Sequence, residues 1–166
     1  MSLSVPSSLI GPAAAFVRDY MSRYDGSHDF GHIRRVVRLA RHIHSQEHQR
    51  AGADLGVVIL AALLHDVGDK KYVSEGEDPT CMVRDVLAGK LGAEPALAER
   101  VQKICLGVSY SSEAKDPEGT ERLVQEYPEC KALPSLFILC PLLFMILLYF
   151  FIFDESLLFK TSTPQL

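Results

Sequence analysis

The chain has 166 residues, of which 17 are Lys or Arg and 21 are Asp or Glu, so its formal net charge is −4. This length suffices for one domain with a hydrophobic core, and a mildly negative charge gives no reason to expect a nucleic-acid partner. The four cysteines show neither CxxC spacing nor the framework of a disulfide-rich protein. Because the N-terminus also lacks the pattern of a signal peptide, we expect reduced thiols and a cytoplasmic protein.

The composition changes abruptly after residue 131. Charged side chains are distributed through residues 18–131, whereas residues 132–153 carry none. We therefore divide the sequence into a domain over residues 10–131, an apolar segment over residues 132–153 and a short polar tail over residues 154–166.

Apolar residues at helical spacing run through the first part of the chain. A first helix is predicted to begin at Pro12, because proline is favoured at the first position of a helix. The second helix is predicted to begin after Ser27 or Asp29, either of which can cap it, and to run to about His48.

A central helix is predicted from Leu55 to about Val67, and it is apolar nearly all round. Three further helices are predicted: over residues 82–91 with Gly92 as the stop, from Pro95 onwards, and from Pro117 to before Pro128. No segment alternates apolar and polar residues as a strand would, so the predicted fold class is all-α.

The central helix ends in two adjacent polar residues, His65 and Asp66. Burying them costs free energy unless they find a partner. His28 and His32 lie four residues apart and would share a helix face, with Arg35 close to it. Imidazole and carboxylate ligands suit Mn²⁺, Fe²⁺, Co²⁺, Ni²⁺ or Zn²⁺ better than Ca²⁺. Spacing alone leaves two alternatives open: hydrogen-bonded core histidines, or a metal site.

Two motifs carry a resemblance to a known family: residues 27–36, Ser-His-Asp-Phe-Gly-His-Ile-Arg-Arg-Val, and residues 60–69, Leu-Ala-Ala-Leu-Leu-His-Asp-Val-Gly-Asp. With them, and with residues 107–111, the chain resembles the HD-domain superfamily of metal-dependent phosphohydrolases. More narrowly, it is similar to a small bacterial and fungal group that includes nucleotide pyrophosphohydrolases. The similarity covers about residues 10–130 and implies a helical bundle with a metal ion in its centre.

The resemblance implies roles for individual residues. His32, His65 and Asp66 match the first three metal ligands of the H…HD…D set. A divalent ion (Mn, Fe, Co, Ni, Mg or Zn) would activate water to hydrolyse a phosphoester or phosphoanhydride, with a small phosphate ester or nucleotide as the substrate. Asp69 would be the general base or would orient the ligands.

Basic residues near the two motifs are candidates for binding phosphate. The candidates are His28, Arg35, Lys70 and Lys71, although the two lysines equally suit a solvated helix end. A solvated face is the preferred interpretation of Arg34, Arg38 and Arg41.

The fourth ligand of the family is an aspartate in a segment of the type Val-Gln-Asp-Ala-Asp-Arg-Leu-Asp-Ala, expected here after Lys131. No Asp or Glu occurs between Lys131 and Asp154, and Asp116 comes too early. We therefore expect a bundle that is truncated at its C-terminal end, a weaker site of three ligands, and little or no turnover. The alternative is a non-catalytic protein that binds a metal or a nucleotide.

The apolar segment over residues 132–153 has three interpretations. At about 1.5 Å per residue, its 22 residues could cross a hydrocarbon core of roughly 30 Å as a transmembrane helix. The protein would then be membrane-associated. A core helix of a soluble bundle fits less well, because the segment has no polar face. The third interpretation is a disordered, non-native tail from a read-through intron or shifted frame, since pyrimidine-rich codons encode much of its composition.

Overall fold

A computed structural model describes residues 4–22, 30–69, 73–107 and 116–133. Every regular element in these ranges is helical, which confirms the all-α prediction. The elements are α1 (Ser7–Met21), α2 (Phe30–Ala51), α3 (Leu55–Leu64), α4 (Met82–Arg84), a π-helical continuation of α4 (Asp85–Lys90), α5 (Pro95–Gly107), α6 (Pro117–Glu126) and a 3₁₀ helix (Pro128–Ala132). The predictions for residues 27–29, 70–71, 108–111 and 134–166 lie outside the described residues.

Helix α3 forms the centre of the bundle. It contacts α1, α2, α5 and the 3₁₀ helix, and seven of its ten residues are buried, as its apolar sequence predicts. Asp54 caps it, since the Asp54 carboxylate accepts the backbone N–H of Val57 at 3.0 Å. Packing on all sides fixes the helix, and therefore the residues that directly follow it.

Helix α1 begins at Ser7, so the predicted start at Pro12 is wrong. Leu9 in the additional turn is buried in the core, and its burial favours the earlier start. Pro12 lies inside the helix and cannot donate a hydrogen bond to the carbonyl of Ser8. Because Pro12 and Ser8 are both exposed, this side of the helix faces water, which can bind the remaining carbonyl.

The predicted helix over residues 82–91 is present, but only its first turn is α-helical. From Asp85 to Lys90 the chain is wound as a π-helix, and the N–H of Leu91 donates to the carbonyl of Val86 at 3.0 Å. Gly92 follows with φ at 68°, a left-handed conformation that glycine adopts readily, so the predicted stop at this residue is confirmed.

An ion pair with a buried carboxylate joins the C-terminal end of the described chain to the start of α3. The carboxylate of Glu129 is fully buried and accepts hydrogen bonds from the Arg100 guanidinium at 2.8 Å to each oxygen. It also accepts the backbone N–H of Asp54, the capping residue of α3, at 3.1 Å. Glu129 therefore holds the first turn of the central helix close to α5.

The 3₁₀ helix and the residue that follows it belong to the packed bundle. Cys130 and Leu133 are 0% and 1% exposed, and the 3₁₀ helix packs against α2, α3 and α6. Within the described ranges no helix is long and apolar enough to cross a membrane. Nearly all of the apolar segment lies outside those ranges.

Candidate metal centre

Three polar side chains from two helices converge at one end of α3. His32 lies in the first turn of α2, while His65 and Asp66 directly follow α3. His65 Nε2 is 3.2 Å from Asp66 Oδ1, and His32 Nε2 is 3.8 Å from Asp66 Oδ2. One nitrogen or oxygen atom from each of the three residues lies within 4.8 Å of the others. The structure thus brings together the three ligands predicted from the sequence.

The end of α3 positions the imidazole of His65. The helix ends at Leu64, three residues before the predicted end at Val67. His65 Nδ1 lies 3.0 Å from the carbonyl oxygen of Ala62, so the ring caps its own helix. Gly68, with φ at 87°, then turns the chain away. The tight turn directs His65 and Asp66 toward the same point.

The hydrogen bond of His65 determines which ring nitrogen is available. A carbonyl oxygen can only accept, so Nδ1 carries the proton and donates it to Ala62. In the neutral ring, the lone pair of Nε2 then faces Asp66 Oδ1 at 3.2 Å. Two acceptors at this distance repel each other unless a proton or a cation lies between them. Histidine ligands of metal ions are commonly oriented by such a bond from the other ring nitrogen.

Asp66 has an unsatisfied carboxylate oxygen. Its Oδ2 is buried and has no hydrogen-bond partner among the described residues, because the 3.8 Å to His32 Nε2 is too long for a hydrogen bond. A buried charged oxygen without a partner is costly. The C-terminal end of α3 adds partial negative charge at the same place. Both features favour a cation here.

The separations of the three groups suit a divalent transition metal. Two atoms that each lie about 2.1 Å from one ion are roughly 3.0–4.2 Å apart for angles between a right angle and a straight line. Two separations fall in this range: 3.2 Å from His65 Nε2 to Asp66 Oδ1 and 3.8 Å from His32 Nε2 to Asp66 Oδ2. Two imidazoles and a carboxylate form a donor set typical of Mn²⁺ to Zn²⁺. The residues therefore fit such an ion.

In the described part of the chain, no fourth carboxylate joins this group. Asp116, considered in the sequence, instead caps α6 by accepting the N–H of Gly119 at 2.9 Å. Glu129 lies at the opposite end of α3, and a helix of ten residues is about 15 Å long. Neither residue completes the set.

The end of α6 partly matches the segment that carries the family's fourth ligand. Val124 and Gln125, near the end of α6, repeat the first two residues of the family's Val-Gln-Asp segment, and Glu126 stands where its first aspartate would be. Glu126 is exposed at the last position of α6 and does not belong to the cluster of His32, His65 and Asp66.

The structure places two further candidates near the cluster. Asp69 is exposed just after the turn, and its N–H donates to the carbonyl of Asp66 at 3.2 Å. Arg35 is exposed one turn after His32 on α2. His28, Lys70 and Lys71 lie outside the described residues. Arg34, Arg38 and Arg41 are exposed.

Cys105 of α5 lies behind the cluster. Its thiol is buried and donates to the carbonyl of Ala61 at 3.7 Å. Burial raises the pKa of the Cys105 thiol far above its usual range, and the neighbouring Cys130 and Asp66 raise it further. Cys105 is therefore a neutral packing residue, consistent with the reduced thiols expected from the sequence.

Comparison with known protein families agrees with this site. The sequence profile described as HD domain matches residues 29–135, more than half of the chain and all three residues of the cluster. Searches of curated proteins and of solved structures each gave no match. By its matching sequence, the chain belongs to the HD-domain family of metal-dependent phosphohydrolases.

Proposed function

We propose that the chain binds a divalent metal ion through His32, His65 and Asp66 and hydrolyses a phosphoester or phosphoanhydride bond of a nucleotide. The observation that carries the proposal is the Asp66 carboxylate between two imidazoles, with its Oδ1 facing His65 and its buried Oδ2 near His32 but without a hydrogen bond. Family membership supports the type of reaction, while the nucleotide is our own inference from the resemblance.

Each residue near the cluster has a part in this proposal. The hydrogen bond from His65 to Ala62 holds the imidazole in the orientation in which Nε2 can donate its lone pair to a metal. A bound divalent ion would supply the Lewis acidity that polarises a phosphoryl oxygen. Asp69, tied to Asp66 through the backbone, accepts a proton from the attacking water.

Phosphate contacts are assigned to basic side chains around the cluster. Arg35 is exposed one turn from His32, so its guanidinium can bind two phosphate oxygens at once. We assign the same function to His28, in the first motif, and to Lys70 and Lys71, which directly follow the second motif.

A non-catalytic function is the second candidate. The described residues offer three ligands and no fourth carboxylate. Fewer charged ligands bind a cation less tightly, so we expect weak metal affinity and slow turnover. If turnover is absent altogether, the chain binds a metal or a nucleotide without hydrolysing it.

The test combines metal binding with hydrolysis in the full-length chain and two variants. With Mn²⁺, wild type should hydrolyse p-nitrophenyl phosphate or a nucleoside triphosphate slowly. Asp69→Asn should bind Mn²⁺ like wild type but lose most of this turnover. Asp116→Asn is the matched control, because asparagine still caps α6.

The outcomes separate the two candidates. Metal-dependent turnover that Asp69→Asn abolishes supports the phosphohydrolase. Metal binding without turnover of any substrate favours the non-catalytic alternative. Failure of wild type to bind a divalent metal would overturn both metal-dependent proposals.

A further inference from the structure

Cys105 of α5 contacts the turn of α3 that leads into the candidate metal ligands. Its thiol donates to the carbonyl oxygen of Ala61 at 3.7 Å, and the two residues lie 44 positions apart in the sequence. Both are buried, with Cys105 7% and Ala61 0% exposed. The hydrogen bond therefore joins two helices in the core, close to the end of α3.

Two neighbouring carbonyl groups in the last turn of α3 each accept a side-chain donor. The carbonyl of Ala61 accepts the thiol of Cys105. The next carbonyl, that of Ala62, accepts Nδ1 of His65. A carbonyl oxygen has two lone pairs, so it can accept a side chain in addition to its partner in the helix. The imidazole belongs to the residue that directly follows α3, whereas the thiol ties the same turn to α5.

The orientation of the His65 ring depends on where the Ala62 carbonyl points. A hydrogen bond weakens steeply as it departs from a straight line, so a rotation of the last turn of α3 would reorient the imidazole or break its bond. The Ala61 carbonyl is part of the peptide unit that leads into Ala62. A bond that holds the first carbonyl therefore limits the movement of the second.

The thiol of Cys105 also lies close to Asp66. Burial is the main cause that raises the pKa of this thiol, and the charges of Cys130 and Asp66 raise it further. The sulfur is not among the atoms that could hold the ion together. Cys105 therefore acts on the cluster as a neutral donor through the backbone of α3, and not as a ligand.

We propose that Cys105 is a positioning residue of the metal centre: its thiol holds the last turn of α3 through Ala61 and keeps Nε2 of His65 directed at the ion. This inference rests on the proposed function, because it needs the metal centre, and it adds a residue that lies outside both family motifs. Groups that orient a metal ligand without touching the ion typically change metal affinity by roughly 10–100-fold.

The first measurement needs no metal. Imidazole ¹⁵N chemical shifts of the metal-free, full-length chain, recorded at about pH 8 where histidine is neutral, report which nitrogen of His65 carries the proton. In wild type this should be Nδ1. Cys105→Ala removes the donor and should mix the two tautomers. Cys105→Ser keeps a donor and should restore the wild-type pattern.

The second measurement is titration of the same proteins with Co²⁺, whose visible absorption depends on the geometry of its ligands. Cys105→Ala should bind Co²⁺ at least about tenfold more weakly than wild type and with a shifted absorption band, and Cys105→Ser should lie closer to wild type. Cys130→Ala is the matched control. Its thiol is also buried but makes no hydrogen bond to α3 among the described residues.

The outcomes separate this inference from the proposed function. Wild type that binds no Co²⁺ would contradict the metal centre, whereas the tautomer of His65 tests the bond from Cys105 independently. An unchanged tautomer and Co²⁺ affinity in Cys105→Ala would overturn the role of Cys105 and leave the metal centre standing.

Two further results decide between the hydrogen bond and packing. Equal losses in Cys105→Ala and Cys105→Ser, or in Cys105→Ala and Cys130→Ala, would show that core packing matters and the hydrogen bond does not, which overturns the proposal. If Cys105→Ala does not fold, Cys105→Ser decides alone: the wild-type tautomer and affinity support the role of Cys105, and their loss contradicts it.

Discussion

Asp66 Oδ1 lies 3.2 Å from His65 Nε2, and the proton of that imidazole is on the other nitrogen, bonded to Ala62. Two acceptors therefore face each other in a largely buried site. With a neutral imidazole and no metal ion this contact is unfavourable, and it becomes favourable when a cation lies between the two atoms. The contact between Asp66 and His65 thus links the stability of the fold to the binding of a metal ion.

Asp66→Asn should make the metal-free protein more stable. The asparagine amide can donate to His65 Nε2, which replaces a repulsive contact with a hydrogen bond and removes a buried charge. We expect a gain of about 1 kcal/mol in the free energy of unfolding, measured by urea denaturation with a chelator present. A clear loss of stability would show that the carboxylate has a favourable partner in the free protein.

Glu129→Gln should destabilise the protein strongly. The carboxylate is fully buried and is bonded to Arg100 and to the N–H of Asp54. Losing the charge weakens the hydrogen bonds to the Arg100 guanidinium, which is itself about a quarter exposed, and costs about 2–3 kcal/mol. Glu118→Gln is the control, since that carboxylate is exposed and lies 3.9 Å from Arg122. Equal unfolding midpoints for the two variants would contradict the role of Glu129.

Gly68→Ala should distort the turn that follows the candidate centre. Gly68 has φ at 87°, and a Cβ there would lie 3.2 Å from the carbonyl oxygen of Pro79. Gly76→Ala is the matched control, because Gly76 has φ at 92° but no atom within 4 Å of its Cβ position. The backbone strain costs about 1–2 kcal/mol in both variants.

The difference between these two variants isolates the contact with Pro79. Thermal unfolding should show a lower midpoint for Gly68→Ala than for Gly76→Ala, and only Gly68→Ala should weaken Mn²⁺ binding. Identical behaviour would mean that the turn moves freely away from Pro79.

The free energy of unfolding should fall as the pH rises above the pKa of an ordinary thiol. Burial raises the pKa of Cys130 to about 12 and raises that of Cys105 as well. In the unfolded chain these thiols ionise at about pH 8.5. Below that pH both states keep the proton and stability does not depend on pH. Above it the unfolded state loses the proton first, so the free energy of unfolding falls progressively until the pH reaches the pKa of the folded state.

The measurement is urea denaturation between about pH 7.5 and pH 9, where tyrosine is still almost entirely protonated. Each thiol that ionises only on unfolding lowers the free energy of unfolding by up to about 1.4 kcal/mol per pH unit. Cys130→Ala should make this slope shallower. An unchanged slope in that variant would show that the Cys130 thiol does not contribute.

The sequence predicts the features of this fold that depend on local pattern. Apolar spacing locates α2, α3, α5 and α6, and the polar pair at the end of α3 indicates the candidate site. The start of α1 was predicted wrongly, because the preference of proline for a first turn weighs less than the burial of Leu9. The π-helical winding after Arg84 has no local signal that distinguishes it from an α-helix.

Contacts between distant parts of the chain could not be predicted. Glu129 binds the N–H of Asp54 across 75 residues and Arg100 across 29 residues. A single sequence gives no information on such pairs. The same limit applies to the cluster of His32, His65 and Asp66. The spacing of the residues assigns His32 and His65 to separate parts of the chain, and only the fold shows that the centroids of their rings are 5.5 Å apart.

The most direct test of the central claim is Mn²⁺ titration of the metal-free protein by isothermal calorimetry or electron paramagnetic resonance. We predict one site in wild type, a loss of affinity of at least about tenfold in His32→Ala and in His65→Ala, and normal binding in His42→Ala, whose side chain is exposed on α2. Absence of binding in wild type, or equal affinity in all four proteins, would contradict a metal centre formed by His32, His65 and Asp66.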